Sequence, residues 1–396
     1  MRPGPLHGYL VADLTRILAG PTATMMLADL GARVIKVERP GLGDDTRLFG
    51  PPWSGSSSAY FESANRSKQS IALDFDNETD VALARELVDR ADIVVENYRS
   101  GGLTRFGLDA ESVRARNPRV IYASITGFGS GAGAGEMGYD LLVQAVGGLM
   151  SVTGESGGQP TKVGVAMIDL LAAKDAVMGI LAATLHRERT GEGQHVEVNL
   201  MSTAVASLAN QASSYLATGV APQRLGNRHP SIAPYETVRC RDGYLALAVG
   251  NDRQWAAVAR VIDAPELAVD PRFATNGARV ENHDVLIELL ERRLASDDVG
   301  TWTARMQEAA VPAGKVNDIA EAIALATSLD LEPLIDVGPD HPAQIRHAVR
   351  YSGFDITPAS APPALDEHGA ELRAWLSRPV TAATTRNIRA AEENPE

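Results

Sequence analysis

From Leu10 to Val198 the chain alternates short β-rich runs with helical stretches, and that alternation constrains its fold more than any other feature. Strands are predicted at Leu10–Leu14, Arg33–Glu38, Ser70–Leu73, Ile93–Glu96, Val120–Ile125 and His195–Val198. Helices are predicted at Thr22–Leu30, Asp80–Asp89 and Tyr139–Val146. Strands separated by helices pair in parallel, with the helices wrapped around the sheet. The expectation is an α/β protein whose large domain is Rossmann-like, with ligands taken at the carboxyl ends of its strands.

At 396 residues the chain exceeds one typical domain. Ile168–Arg189, rich in Ala, Leu and Met, reads as a long, largely buried helix, and Ser202–Leu216 as another. The pattern then breaks into TGVAPQRLGNRHPSIAP. The predicted organisation is residues 1–217 as the first part of the large domain, 218–234 as a linker and 235–325 as a smaller α+β domain. Residues 326–396 are a linker and C-terminal return to the large domain, ending in the polar tail RNIRAAEENPE. Within the smaller domain, strands are predicted at Tyr235–Cys240 and Tyr244–Val249 and helices at Trp255–Ile262, Val285–Ala295 and Thr301–Glu308.

The net charge of −13 weighs against a nucleic-acid partner, so any anionic ligand must meet a local cluster of Arg and Lys. Cys240 is the single cysteine, which rules out an intramolecular disulfide or a Cys-based zinc site. None of the 8 histidines has metal-ligand spacing, so no metal site is expected. With neither a signal-like nor a membrane-length apolar run, the expected location is cytoplasmic, with no membrane partner.

Two glycine-dense segments invite comparison with known loops. GFGSGAGAG, Gly127–Gly135, follows a strand but contains no G-x-G-x-x-G, which argues against nicotinamide binding. GESGG, Gly154–Gly158, matches G-x-S-x-G, yet Gln159-Pro160-Thr161 cannot start the helix a nucleophile elbow needs, so a flexible loop is expected. Asp169 stands apart: an acid near the start of an apolar helix is costly to bury without a task or partner. A plain N-terminal carboxylate stabilised by the helix dipole accounts for it equally well, and Lys174 and Asp175 fit a solvated or paired face.

Taken in order, several segments resemble the family III CoA-transferases, a group that includes formyl-CoA transferase, carnitine-CoA transferases and α-methylacyl-CoA racemases. They are DLT through AGP (13–21), LADLGARVIKVERPGLGDDTR, NRSKQSIALD (65–74), ADIVVENYRSGGLTRFGLD (91–109), NPRVIYASITGFG (117–129), GYDLLVQAVGGL (138–149), the Asp169 helix, RTGEGQHVEVNL (189–200) and GNRHPSIAPYET (226–237). The resemblance implies that Asp169 is the catalytic carboxylate. It implies that Ile17, Arg39, Lys68, Leu73, Asn97, Tyr98, Arg105, Met137 and Tyr139 line the groove for coenzyme A, which enters as the acyl-CoA substrate. It further implies a carboxylic acid co-substrate, a reaction without metal, and an interlocked homodimer. Asp169 would attack the donor thioester, form an aspartyl-CoA thioester through a mixed anhydride, and pass CoA to the acceptor acid. Backbone N–H groups of glycine-rich loops such as 154–158 would stabilise the oxyanions.

Two departures bear on the activity. Racemase relatives carry a histidine where this chain has Tyr139, and phenols, ionising at about pH 10, make poor bases at neutral pH. Formyl-CoA transferase has a glutamine where this chain has Leu18, and its glycine-run loop is replaced by GNDRQW (250–255), which counts against oxalate or formate as substrate. Leu18 and Met137 fit an apolar acyl pocket or an ordinary core. Besides the transferase reading, a 2-methylacyl-CoA racemase or isomerase and a non-catalytic acyl-CoA-binding protein remain as alternatives.

Overall fold

The computed structural model describes residues 4–55, 57–356 and 358–379; the tail RNIRAAEENPE lies outside them. Strands β1 (Leu10–Asp13), β2 (Arg33–Glu38), β3 (Lys68–Ala72), β4 (Ile93–Glu96), β5 (Ile121–Thr126) and β6 (His195–Asn199) form one parallel sheet. Its order is β3-β2-β1-β4-β5-β6. The chain is thus an α/β protein with a Rossmann-like sheet: it winds outward from β1 to β3, returns to β4 and winds outward again. Connections leave β1 and β4 in opposite directions, which opens a crevice at their carboxyl ends.

Helices α1 (Ala19–Asp29), α2 (Ala59–Asn65), α3 (Glu78–Arg90), α4 (Ala110–Arg116), α5 (Asp140–Val146), α6 (Met167–Thr190) and α7 (Leu200–Ser207) connect and follow these strands. The starts of α3, α4 and α7 are written in the sequence as side-chain caps: Asn77 accepts from the Thr79 and Asp80 N–H groups, Asp109 from Ser112, and Asn199 from Ser202. On one sheet face Ala12, Ile35, Val94 and Tyr122 share a core with Leu87 and Val88 of α3 and with Leu372 and Leu376 of the C-terminal helix Gly369–Leu376. Helix α6 packs against α1, β5 and β6.

Two helical expectations are corrected. Ser202–Leu216 is not one helix: α7 ends at Ser207 and a second helix spans Ala209–Thr218, its first residue Ala209 at φ 44°. The run of Ala, Ser and Leu carries no Gly or Pro to announce that break. Nor is α6 largely buried within the single chain, where Met178 (66% exposed) and Leu185 (54%) lie on an open stripe. Its composition encodes helix propensity, whereas the number of neighbouring elements sets burial.

The chain separates into two compact units, one of residues 4–148, 163–209 and 332–379 that holds the parallel sheet, the other of 149–162 and 210–331. In the second unit β7 (Tyr235–Arg239), β8 (Tyr244–Ala248) and β9 (Ala313–Lys315) form an antiparallel sheet. Its core includes Trp255, Phe273, Leu286, Leu290, Trp302 and Met306. Residues 218–234 and the Gly154–Gly158 loop belong to this unit, where the Gly226 N–H donates to the Gly154 carbonyl. Among the described residues no helix is long and apolar enough to cross a membrane.

Candidate active site

The crevice between β1 and β4 rests on buried ion pairs. Asp13 Oδ1 accepts from the Thr15 N–H (2.9 Å) and hydroxyl (2.5 Å), and Oδ2 accepts from the Thr24 hydroxyl (2.7 Å) and Lys68 Nζ (3.0 Å). Burial alone would raise the Asp13 carboxyl pKa, but the Lys68 and Lys36 ammonium groups outweigh it and hold it well below the usual carboxylate range. Lys36 Nζ donates to the Thr15 carbonyl (2.8 Å) and to Asp44 Oδ2 (2.9 Å). Asp44 Oδ1 in turn accepts from the Ile17 N–H at 3.2 Å. That bond helps hold Ile17 at φ 70°, a left-handed conformation that costs a β-branched residue about 1–3 kcal/mol.

Above this base the first unit contains two cavities that share Arg16 and Tyr98. One, of about 350 Å³, gathers Arg39, Leu73, Tyr98 and Arg105 with Arg16 and Phe106. Arg39 and Arg105 sit at its open side, in loose surface pairs with Asp45 (3.1 Å) and Asp76 (3.7 Å). The other, of about 240 Å³, gathers Ile17, Asn97, Tyr98, Met137, Tyr139 and Asp169 with Arg16, Leu18 and Arg99. Asn97 joins the ends of β1 and β4: its Oδ1 accepts from the Arg16 N–H (2.9 Å) and its Nδ2 donates to the Arg16 carbonyl (2.7 Å). The Arg16 guanidinium lies over the Tyr98 ring, 5.0 Å from its centre.

Lys68, expected in the groove, lines neither cavity. Its side chain is fully buried, and its ammonium hydrogens go to Asp13, the Pro21 carbonyl (2.9 Å) and Asn65 Oδ1 (2.9 Å). A cation so placed braces the fold and has no donor left for a phosphate.

Asp169 stands in the first turn of α6 and faces the second cavity. Burial, and then the charge of Asp140, push its carboxyl up to about 7. Around it bends the segment that began as GFGSGAGAG. A Cβ on Gly127 would lie 2.4 Å from the Gly138 Cα, and one on Gly138 would lie 2.2 Å from the Gly127 Cα. The two backbones touch, so both positions need glycine and the intervening loop closes on itself. Sequence reasoning missed this loop, Arg16 and Arg99. The available signal was position, since all three follow the carboxyl ends of strands beside the switch point.

A sequence model of CoA-transferase family III matches residues 6–369. The chain belongs to that family. This family III CoA-transferase is 43% identical to a succinate–glutarate CoA-transferase of Agrobacterium fabrum, over 97% of this chain and 98% of the relative. It is 42% identical to an acetyl-CoA:oxalate CoA-transferase of Acetobacter aceti, over 95% and 97% of the two chains. Among solved structures, a CaiB/BaiF family protein from Brucella suis is similar with a TM-score of 0.86 and 45% identity, covering 95% of this chain and 100% of that one. The enzyme's substrates are thus CoA thioesters and carboxylic acids. Among its described residues no group of three or more His, Cys, Asp or Glu could hold a metal ion.

Proposed function

We propose that this enzyme moves CoA between two carboxylic acids with the Asp169 carboxylate as nucleophile. One observation carries the reading: Asp169 lies in the second cavity, which shares Arg16 and Tyr98 with the first, rimmed by Arg39 and Arg105. CoA phosphates find cations in the first cavity, while the thioester reaches toward Asp169 in the second. A carboxyl raised to about 7 is poorly stabilised as an anion, and so reactive once ionised.

An Asp169 oxygen attacks the thioester carbonyl, the C–S bond breaks, and CoA thiolate leaves a mixed anhydride. The thiolate attacks the Asp169 carbonyl of that anhydride, releasing the donor acid and leaving an aspartyl-CoA thioester. The acceptor carboxylate then attacks this thioester, expelling the thiolate and forming a second anhydride. Attack of the thiolate on the acceptor carbonyl gives the new acyl-CoA and restores Asp169. Each step exchanges one acyl bond for another, so no ATP is consumed. A racemase route would need a second base, and Tyr139 offers a phenol there.

For substrates we infer short dicarboxylic acids. The name of the succinate–glutarate relative supports this, as do Arg16 and Arg99, which line the Asp169 cavity and can neutralise a distal carboxylate. The oxalate-named relative supports the dicarboxylate class alone, since Leu18 and GNDRQW count against oxalate itself. A mass-spectrometric panel of acyl-CoAs and free acids is expected to show dicarboxylates exceeding monocarboxylates by about tenfold or more in kcat/KM, the worth of one charge-assisted contact. Equal rates for butyrate and succinate would refute the assignment.

Arg39→Ala and Arg105→Ala are each expected to raise KM for acyl-CoA about tenfold with a smaller change in kcat, since each removes one phosphate contact. Unchanged KM in both variants would place the CoA phosphates elsewhere. For assembly we infer a homodimer of the interlocked kind the family resemblance implies, and the apolar stripe of Met178 and Leu185 on α6 is consistent with a covered surface. Interlocked rings separate only by unfolding or wide opening, so the dimer should persist in sedimentation at nanomolar concentration. A reversible folded monomer there refutes it.

A further inference from the structure

Helix α6 starts without a cap of its own: Ala166, at its N-cap, offers no side-chain acceptor to the first-turn N–H groups. The acceptor comes from Asp140, in the first turn of α5. Its Oδ1 takes the Ile168 N–H at 2.8 Å and the Asp169 N–H at 3.3 Å. Its Oδ2 takes Gln144 Nε2 at 2.6 Å, one turn further along α5. Gln144 is fully buried, and its Oε1 accepts the Val163 N–H at 2.9 Å. One Asp–Gln pair therefore holds both ends of the 163–169 segment and, through its last residue, the backbone from which the Asp169 carboxylate projects.

A cap alone could be neutral, as Ser, Thr or Asn would be. Asp140 instead brings a negative charge beside the carboxylate it holds. The charge sits favourably at the positive end of the α6 dipole, but it opposes ionisation of Asp169. We propose that Asp140, fixed by Gln144, is a positioning residue that aims the Asp169 carboxylate by clamping the first turn of α6. Its charge adds to that role by leaving the Asp169 anion less stabilised. The inference rests on Asp169 being the nucleophile.

The other charged or titratable groups near the Asp169 end of α6 are Tyr139, Tyr60 of α2, and Arg16, Arg99 and Glu136 around the cavity. Of the other elements packed on α6, α1 brings Asp29, paired with Arg66; β5 brings Tyr122; β6 brings His195 and Glu197; and α7 brings none.

The test compares Asp140→Ala with Asp140→Asn in the full-length enzyme. Both are read by kcat, KM for succinyl-CoA, the pH profile of kcat/KM, and the rate at which hydroxylamine traps an Asp169 hydroxamate during turnover. Losing the clamp in Asp140→Ala is expected to lower kcat and trapping about a hundredfold, the cost of roughly an ångström of misplacement, with KM little changed. Asp140→Asn keeps one oxygen for the Ile168 and Asp169 N–H groups but turns an N–H toward Gln144 Nε2 in place of the acceptor, so it is expected to recover part of kcat, above Asp140→Ala and below wild type. Its acid limb should move to lower pH, because a negative neighbour that raises the Asp169 pKa is gone. Wild-type kcat in Asp140→Ala overturns the proposal, as does an Asp140→Asn enzyme as slow as Asp140→Ala with an unmoved acid limb. If Asp140→Ala does not fold, the isosteric Asn variant decides: a displaced limb supports the proposal and an unmoved one overturns it. Wild-type enzyme that yields no Asp169 hydroxamate overturns the covalent reading itself, and this inference with it.

Discussion

Asp169→Asn and Asp169→Ala are expected to lose CoA transfer by about 10⁴-fold or more, the scale seen when a covalent nucleophile is removed. The loss should fall on kcat. In the proposed reading CoA is held by Arg39, Tyr98 and Arg105, which line the neighbouring cavity and do not depend on the Asp169 side chain, so equilibrium binding should stay near wild type. Asparagine matches aspartate in size, so its failure would isolate the chemistry from the packing. Stopped-assay kinetics with succinyl-CoA, together with calorimetric binding of CoA, separate the two effects. Retention of a tenth of wild-type turnover would sink the covalent role.

The second large effect is on folding. Lys68→Met leaves the buried Asp13 carboxylate without its 3.0 Å partner, and breaking such a pair from one side costs about 3–5 kcal/mol. Lys36 still attracts the carboxylate but donates no hydrogen bond to it, because its own run to Thr15 and Asp44. Denaturant unfolding should show the loss, and the double variant Asp13→Asn with Lys68→Met should regain part of it, since no unpaired charge then remains. Single and double variants as stable as wild type would mean that the pair contributes nothing to the fold.

The strands were the most legible part of this molecule. Arg33–Glu38 and Ile93–Glu96 are predicted to the residue, because each is rich in Val and Ile and follows a turn-forming or helix-ending stretch. Asn97, Tyr98 and Ile17 entered as candidates through the family resemblance, and the structure sets Asn97 and Tyr98 directly after β4 and Ile17 a few residues beyond β1. What the sequence hides is pairing over distance. Lys68 reads as a free cation until Asp13 is found beside it, 55 positions away. The cap of α6 lies 28 positions upstream at Asp140, far outside the three-residue window in which caps are recognised. The GFGSGAGAG segment failed as a phosphate loop, and its actual constraint, contact with Gly138, needs the loop to be closed before it can be seen.

That closure gives the loop a property useful to anyone wishing to alter the enzyme. Because Gly127 and Gly138 meet backbone to backbone, the stretch from Phe128 to Met137 leaves and re-enters the fold at one point. Its exposed side chains are the part open to redrawing, whereas Gly129, held at φ 82°, and Gly133, where a Cβ would collide with the Phe128 carbonyl, must stay glycine for the loop to keep its course. Met137 belongs to this stretch and lines the Asp169 cavity, while Asp169 itself lies outside the stretch. Libraries aimed at new acyl groups therefore belong between those two glycines, with the glycines left alone.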